Sequence, residues 1–310
     1  MDSLEALKQA LGGRARVDEP LSRYTTARIG GPADLLVEAD SADDLRDLVL
    51  AARRHAVPVL ILGGGADVLV GDSGVRGLTI VNKARRLEYQ AGGRVRAESG
   101  VILPTLAREC IARGLAGLEW AVGVPGTVGG AVVGNAGAHG RDTASDVKRV
   151  LMLGPDDDVR EWGVEELGFE YRNSRIKREY RSARGRSAQV VVLAAEFELT
   201  QGDPAELERR AAEFNDYRRR TQPPGASIGS MFKNPPGDAA GRLIDEAGLK
   251  GTRIGQAEIS NVHANFFVNL GGATANDVMA LIDLAHERVK ALRGVAFELE
   301  IELVGEWQTD

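Results

Sequence analysis

The stretch Gly123–Gly140, GVPGTVGGAVVGNAGAHG, decides how the rest of the chain is read. Glycine loses more backbone freedom on ordering than any other residue, so this density implies close approach to the main chain or positive φ. Val124, Val128, Val132 and Val133 between the glycines argue against a flexible linker, which would carry serine and charge. The segment reads as an ordered, partly buried ligand loop. A second glycine-rich stretch, GGGADVLV at Gly63–Val70, follows the apolar run Val57–Leu62. Amides bared by missing side chains can line a hollow for one diphosphate; the other reading is that these glycines allow tight strand packing.

The 310 residues give room for about two domains. With 39 basic and 45 acidic residues the formal charge is −6, so no basic field points to nucleic acid, although YRRR at Tyr217–Arg220 could oppose that sign locally for a small anion. The single cysteine, Cys110, excludes an internal disulfide and a cysteine-based metal cluster and fits a reducing compartment. Its setting, LARECIARG, is helical in pattern and suggests a buried, inert thiol. Leu4, Leu7 and Leu11 suit one helix face rather than a secretory signal, and no run approaches the roughly 20 apolar residues of a membrane span. A cytoplasmic protein without membrane association is expected.

Leu35–Glu38 reads as a strand, Ser41 as an N-cap with Asp44 three residues on, and Leu45, Leu48, Val49 and Ala52 follow at helical spacing. This βαβ-like start carries neither common nucleotide fingerprint. A helix is expected from about Pro104 to Arg113, a hairpin over KRVLMLGPDDDVREWGVEEL and a buried strand in AQVVVLAAEFEL. Asp203 caps a charged helix running to about Arg220, and the break TQPPGASIGS marks the preferred domain boundary. A short helix is expected around Ala239–Ala247, then a loop followed by a strand in AEISNVHANFFVNL. Val278, Leu281, Ile282, Ala285 and Val289 mark an amphipathic helix with Gly294 past its end. FELEIELVG alternates like a half-exposed antiparallel strand.

GSMFKNP at Gly229–Pro235 brings a hydroxyl, an ammonium and a carboxamide together without a nucleophile elbow or adjacent histidine, so a serine hydrolase is disfavoured. Such a hydroxyl can still protonate a strongly basic carbon. Tyr171 and Arg172 are expected at the end of a strand, where a surface salt bridge is the plain account of the arginine. Spacing does not choose among Glu298, Glu300 and Glu302. His263 and Asn265 lack the companions of a metal site, and no metal is expected.

In order, TTARIGGPAD (Thr25–Asp34), GGGADVLV, the opening loop, YRNS (Tyr171–Ser174), GSMFKNP, HANFFVN and ELEIELVG resemble the UDP-N-acetylenolpyruvoylglucosamine reductase family of peptidoglycan synthesis, in its shorter subtype. The resemblance spans nearly the whole chain. It implies an α+β fold of the vanillyl-alcohol-oxidase type: FAD-binding subdomains at 1–83 and 84–222, a substrate domain at 223–296, and a C-terminal strand at 297–310. It implies noncovalent FAD held by Gly30, Gly63, Gly64, Gly65, Ala66, Asp67, Val68 and Leu69, and by Gly123, Pro125, Gly126, Thr127, Gly129, Gly130, Asn135, Ala136 and Gly137.

The implied reaction uses NADPH to reduce UDP-N-acetylglucosamine enolpyruvate to UDP-N-acetylmuramate through the flavin. Ser230 would donate the proton, Arg172 would neutralise the substrate carboxylate, and Glu300, with a raised pKa, would share a hydrogen bond with it. Tyr171, Arg220, Lys233, Asn234, His263 and Asn265 would contact the nucleotide sugar, and the chain would act as a monomer. His139 stands where the family commonly has another aromatic, which leaves stacking there open and raises a covalent histidyl link as a minor alternative. A related flavin oxidase, or a flavin-retaining binding protein without turnover, would keep the glycine loops; the oxidase has no need of GSMFKNP or the YRNS arginine.

Overall fold

A computed structural model describes residues 2–180 and 190–307. The chain divides into two compact units: 1–17, 35–64 and 77–218 form the first, and 18–34, 65–76 and 219–310 the second.

The first unit holds two layered cores. In one, Ser41 Oγ accepts from Asp44 N and starts the helix Ala42–Arg54, whose buried Leu45, Leu48, Val49 and Ala52 meet Leu35, Val37, Val59, Leu78 and Ile80. The strand, helix and strand expected over Leu35–Leu62 form in that order, but Val59–Leu62 pairs in parallel with Val75–Asn82, which lies between it and the strand holding Leu35–Glu38. In the other, an antiparallel sheet runs Val159–Gly163, Val147–Leu153, Val191–Glu198, Arg94–Glu98, Leu87–Gln90. The strand expected over AQVVVLAAEFEL thus forms, with Ala188 and Gln189 outside the described residues. The helix Leu103–Ala112 buries Leu103, Leu106, Ala107, Cys110 and Ile111 against this sheet's core. Burial pushes the Cys110 thiol up to about 12, which leaves it protonated and inert.

In the second unit the strands Ala226–Ser230, Phe266–Asn269, Ala257–Ile259 and Arg253–Ile254 form one sheet in that order. The helix Ala275–Arg293 begins in a reciprocal capping box between Thr274 and Asp277 and ends at Gly294, whose φ of 69° is the left-handed conformation glycine favours. Its buried Val278, Leu281, Ile282, Ala285 and Val289 are the residues expected from spacing, and they join a core with Met231, Phe232 and Phe267.

Two local expectations change. AEISNVHANFFVNL begins with the strand Ala257–Ile259 before its loop, because only three residues pair there, too few for an alternation to register. The terminal stretch is antiparallel only at the bridge Leu299–Phe232; Glu302–Val304 then pairs in parallel with Val68–Val70. Alternation reports which face is buried and carries no information on the partner's direction. Phe297 and Ile301 are buried as expected, whereas Leu299 and Leu303 are half-buried and Val304, in phase with the glutamates, is buried, so the alternation holds only up to Ile301.

Replacing Thr274 with alanine removes the cap hydroxyl and is expected to cost about 1 kcal/mol, read as a lower urea midpoint with an unchanged slope.

Candidate active site

Both glycine-rich stretches contribute to the first unit, where they abut. A Cβ on Gly63 would lie 2.4 Å from Thr127 Oγ1, and one on Gly64 would lie 3.0 Å from Gly126 Cα. Gly129 is similarly confined by Ser99 and Gly137 by the backbone at Arg141. Tight packing therefore accounts for these four. Gly126 and Gly134 differ: a Cβ on either would meet nothing within 4 Å, and one on Gly130 would meet only Thr127 Oγ1 at 3.8 Å. Here bare main chain faces open space, as contact with a ligand requires.

The helix Val128–Gly134 ends at Asn135, in the left-handed conformation at φ 45°. Asn135 is buried; its amide donates to Asp142 Oδ2 and to the Glu170 carbonyl, each at 3.0 Å, and its Oδ1 accepts from Ala144 N. Its side chain braces the loop from within. Ala136 N donates to the Ala131 carbonyl, and its own carbonyl accepts from Thr143.

Tyr171 and Arg172 occupy a tight turn rather than a strand end. Glu170 and Asn173 exchange main-chain hydrogen bonds at 3.0 and 3.1 Å, and Arg172 sits at φ 53°. A non-glycine residue in this region carries local strain that its surroundings must hold. The glycine loop supplies the restraint: Arg172 Nη2 donates to the Gly137 carbonyl at 2.6 Å, Ser174 Oγ to the Val133 carbonyl at 2.6 Å, and Asn135 to Glu170. The YRNS motif is thus tied to the opening loop at two points, and Glu170 before it at a third. Tyr171 is exposed beneath the Arg172 guanidinium, 5.1 Å from its ring centre.

His139 fills an aromatic position: its ring stacks on Phe214 at 4.1 Å and meets Tyr217 edge-on at 5.7 Å. Burial and Arg218 lower its pKa, so the ring is neutral at pH 7, and its Nε2 is buried without a hydrogen-bond partner.

Sequence reading chose Arg220 and passed over Arg218. Arg218 is half-buried and packs where a Gly123 side chain would point, with its Cδ 2.7 Å from that position. No described residue offers it a hydrogen bond or ion pair, and burial together with nearby Arg172 lowers its pKa. Desolvating a cation without a counter-charge is costly, a cost that a bound anion would relieve. The signal was present: Leu207, Ala211, Phe214 and Arg218 recur at spacings of 4, 3 and 4 along the helix Pro204–Thr221, which puts an arginine on the apolar stripe. Arg220, by contrast, is exposed.

The second unit gathers Ser230, Lys233, Asn234, His263, Asn265 and Glu300. Ser230 ends the strand Ala226–Ser230, half-buried, opposite Phe266 and after Gly229 at φ 92°. Glu300 N donates to the Met231 carbonyl at 3.0 Å and Lys233 N to the Glu298 carbonyl at 2.9 Å, which sets the glutamate strand against the serine segment. Glu300 is half-buried, whereas the Glu298 side chain is 72% exposed and pairs with Lys233 Nζ at 2.5 Å. Asn234 Oδ1 accepts from Ala240 N. Asn265 is 3% exposed and His263 is half-buried; burial and Lys250 lower the His263 pKa. A Cβ on Gly30 would lie 3.0 Å from Val70, and one on Gly65 would lie 2.1 Å from the Tyr24 carbonyl, so both are packing glycines. Val68 and Leu69 pair with Glu302 and Leu303, Asp67 accepts from Glu302 N, and Ala66 is half-buried beside it. Among the described residues no cluster of histidine, cysteine and carboxylate could hold a metal ion, and no helix is long and apolar enough to cross a membrane.

Residues 33–162 match an FAD binding domain, and residues 221–304 match the C-terminal domain of UDP-N-acetylenolpyruvoylglucosamine reductase. Two proteins carrying that reductase name, from Rubrobacter xylanophilus and Chloroflexus aggregans, are 49% and 42% identical over 96% of this chain and 98% and 100% of their own. The chain belongs to the UDP-N-acetylenolpyruvoylglucosamine reductase family. The crystal structure of the Thermus caldophilus reductase aligns with a TM-score of 0.77 at 37% identity, covering 94% of this chain and 99% of that one. Membership establishes the α+β flavin-binding fold and an FAD-dependent oxidoreductase. The open main chain at Gly126, Gly130 and Gly134 lies inside the FAD-matching region and fits such a cofactor.

The two glycine classes are separable. Gly64→Ala, crowded by backbone, is expected to lose about 1–3 kcal/mol; Gly134→Ala, in a helix facing open space, is expected to be neutral or gain up to roughly 1 kcal/mol. Urea denaturation of the apoprotein reads both, and equal losses would remove the distinction.

Proposed function

We propose that the protein reduces the enolpyruvyl ether of UDP-N-acetylglucosamine to the lactyl ether of UDP-N-acetylmuramate, with NADPH as electron source, in cytoplasmic peptidoglycan precursor synthesis. The observation that carries this reading is the pairing of the serine segment with Glu300, through Glu300 N and the Met231 carbonyl. It brings the segment that carries a carboxyl beside the one that carries a hydroxyl, within a chain of the reductase family. FAD, which the open main chain at Gly126, Gly130 and Gly134 would hold, would supply hydride-transfer chemistry.

The protein's own groups handle the resulting charge. As hydride adds, the neighbouring carbon becomes an enolate conjugated with the substrate carboxylate. Arg172, fixed by the Gly137 carbonyl, neutralises that carboxylate, and Glu300 shares a proton with it. Ser230 Oγ–H then protonates the enolate carbon, completing net addition of two hydrogens. A serine suffices because the acceptor carbon is strongly basic.

Tyr171, Lys233 and Arg220 contact the nucleotide sugar, and Arg218 takes an anionic group of the bound partners. The packing glycines support FAD by allowing the loops to meet, and the open ones by leaving its diphosphate room. His139 in its aromatic stack supports noncovalent retention. The division into two flavin subdomains, a substrate domain and a terminal strand remains our assignment, as does a monomeric state.

NADPH is expected to bleach the flavin, with colour returning on addition of the enolpyruvyl nucleotide. Recolouring by air at turnover rates would instead favour an oxidase. Ser230→Ala should bleach normally while nucleotide reduction falls by about 10²–10⁴. A Glu300→Gln variant as active as wild type in that half-reaction would remove the carboxyl's role. Arg218→Met should lower flavin content or raise the nucleotide KM; a variant with both unchanged would remove its anion role.

A further inference from the structure

The segment that carries Ser230 is unusual in what holds its main chain. Its strand ladder with Phe266–Asn269 is regular at Ala226 and Ser227, shifts register, and resumes at Ser230 opposite Phe266. Beyond that point no strand residue faces Phe232 on this side. The side chain of Asn265 does so instead: Phe232 N donates to Asn265 Oδ1 at 3.0 Å, and Asn265 Nδ2 donates to the Phe232 carbonyl at 2.8 Å. The Asn265 carbonyl also accepts from Met231 N at 2.8 Å, and Asn265 N donates to His263 Nδ1 at 3.2 Å. On the opposite edge, Glu300 N donates to Met231 O and Lys233 N to Glu298 O, around the bridge Phe232–Leu299.

A carboxamide offers donor and acceptor in one plane, as a peptide group does, so it can stand in for a strand residue. Aspartate lacks the donor and leucine lacks both. Asn265 is 3% exposed, which leaves it little surface for a ligand.

We propose that Asn265 is a positioning residue: by pairing with the Phe232 main chain it fixes the backbone from which Ser230 projects and to which Glu300 is hydrogen-bonded. This assignment replaces the substrate contact expected from sequence, and it rests on the proposed roles of Ser230 and Glu300. One buried side chain thereby sets the placement of two groups from distant parts of the chain.

The test compares Asn265→Asp and Asn265→Leu with wild type in the full flavin-loaded chain. Expected are a fall in kcat of about 10²-fold, as a displacement on the order of 1 Å produces, with nucleotide KM little changed and flavin bleaching by NADPH at the wild-type rate. Amide exchange at Met231 and Phe232 should accelerate. Asn265→Asp is nearly isosteric, so it serves if the leucine variant does not fold. A raised KM with kcat intact, activity lost only in proportion to flavin content, or unchanged exchange at Met231 and Phe232 would each overturn the assignment. If wild type does not reduce the enolpyruvyl nucleotide, the broader reading fails, while the exchange measurement, which needs no substrate, still decides the clamp.

Discussion

Two main chains can lie in van der Waals contact only where no Cβ stands between them, and the first unit depends on that condition. Gly63 and Gly64 meet Thr127 and Gly126 with no space for another carbon. This contact fixes the opening loop, the loop restrains the left-handed Arg172 turn, and the turn presents the guanidinium. A glycine that never touches a ligand can therefore be as necessary to the site as one that does.

The same economy of groups appears in the second unit, where side-chain amides replace main-chain partners. Asn265 pairs with Phe232, Asn234 Oδ1 accepts from Ala240 N, and Asn269 donates to the Ala27 carbonyl while accepting from Gly271 and Ala273. Each satisfies backbone groups at a point where regular pairing stops. Left unpaired in a buried setting, such groups cost roughly 1–3 kcal/mol apiece.

Much of the fold was legible because helix spacing and strand alternation report burial directly. Ser41, the buried face of Ala275–Arg293 and the hairpin of Val147–Leu153 with Val159–Gly163 were all readable in this way. The direction of the last strand was not, since Glu298, Glu300 and Glu302 alternate identically beside either kind of partner. The partners of individual polar side chains were not legible in the same way. Asn135 and Asn265 carry the residue type of a ligand contact, yet their partners lie within the chain and include backbone groups distant in sequence, the Glu170 carbonyl and the Phe232 main chain. Arg218 was not separated from its neighbours because a run of three arginines offers an anion three equal candidates until the helix phase is counted.

The second unit's core joins Ala27, Ile29 and Leu69 to Phe297 and Ile301. A ribosome makes the first three of these long before the last two. At roughly 5–20 residues per second, Ala27 and Ile29 wait on the order of ten seconds or more for the partners that cover them. The first unit, whose last segment ends at residue 218, can be complete while that wait continues. Ala27 and Ile29 thus stay without two of their core neighbours until Phe297 and Ile301 have been made.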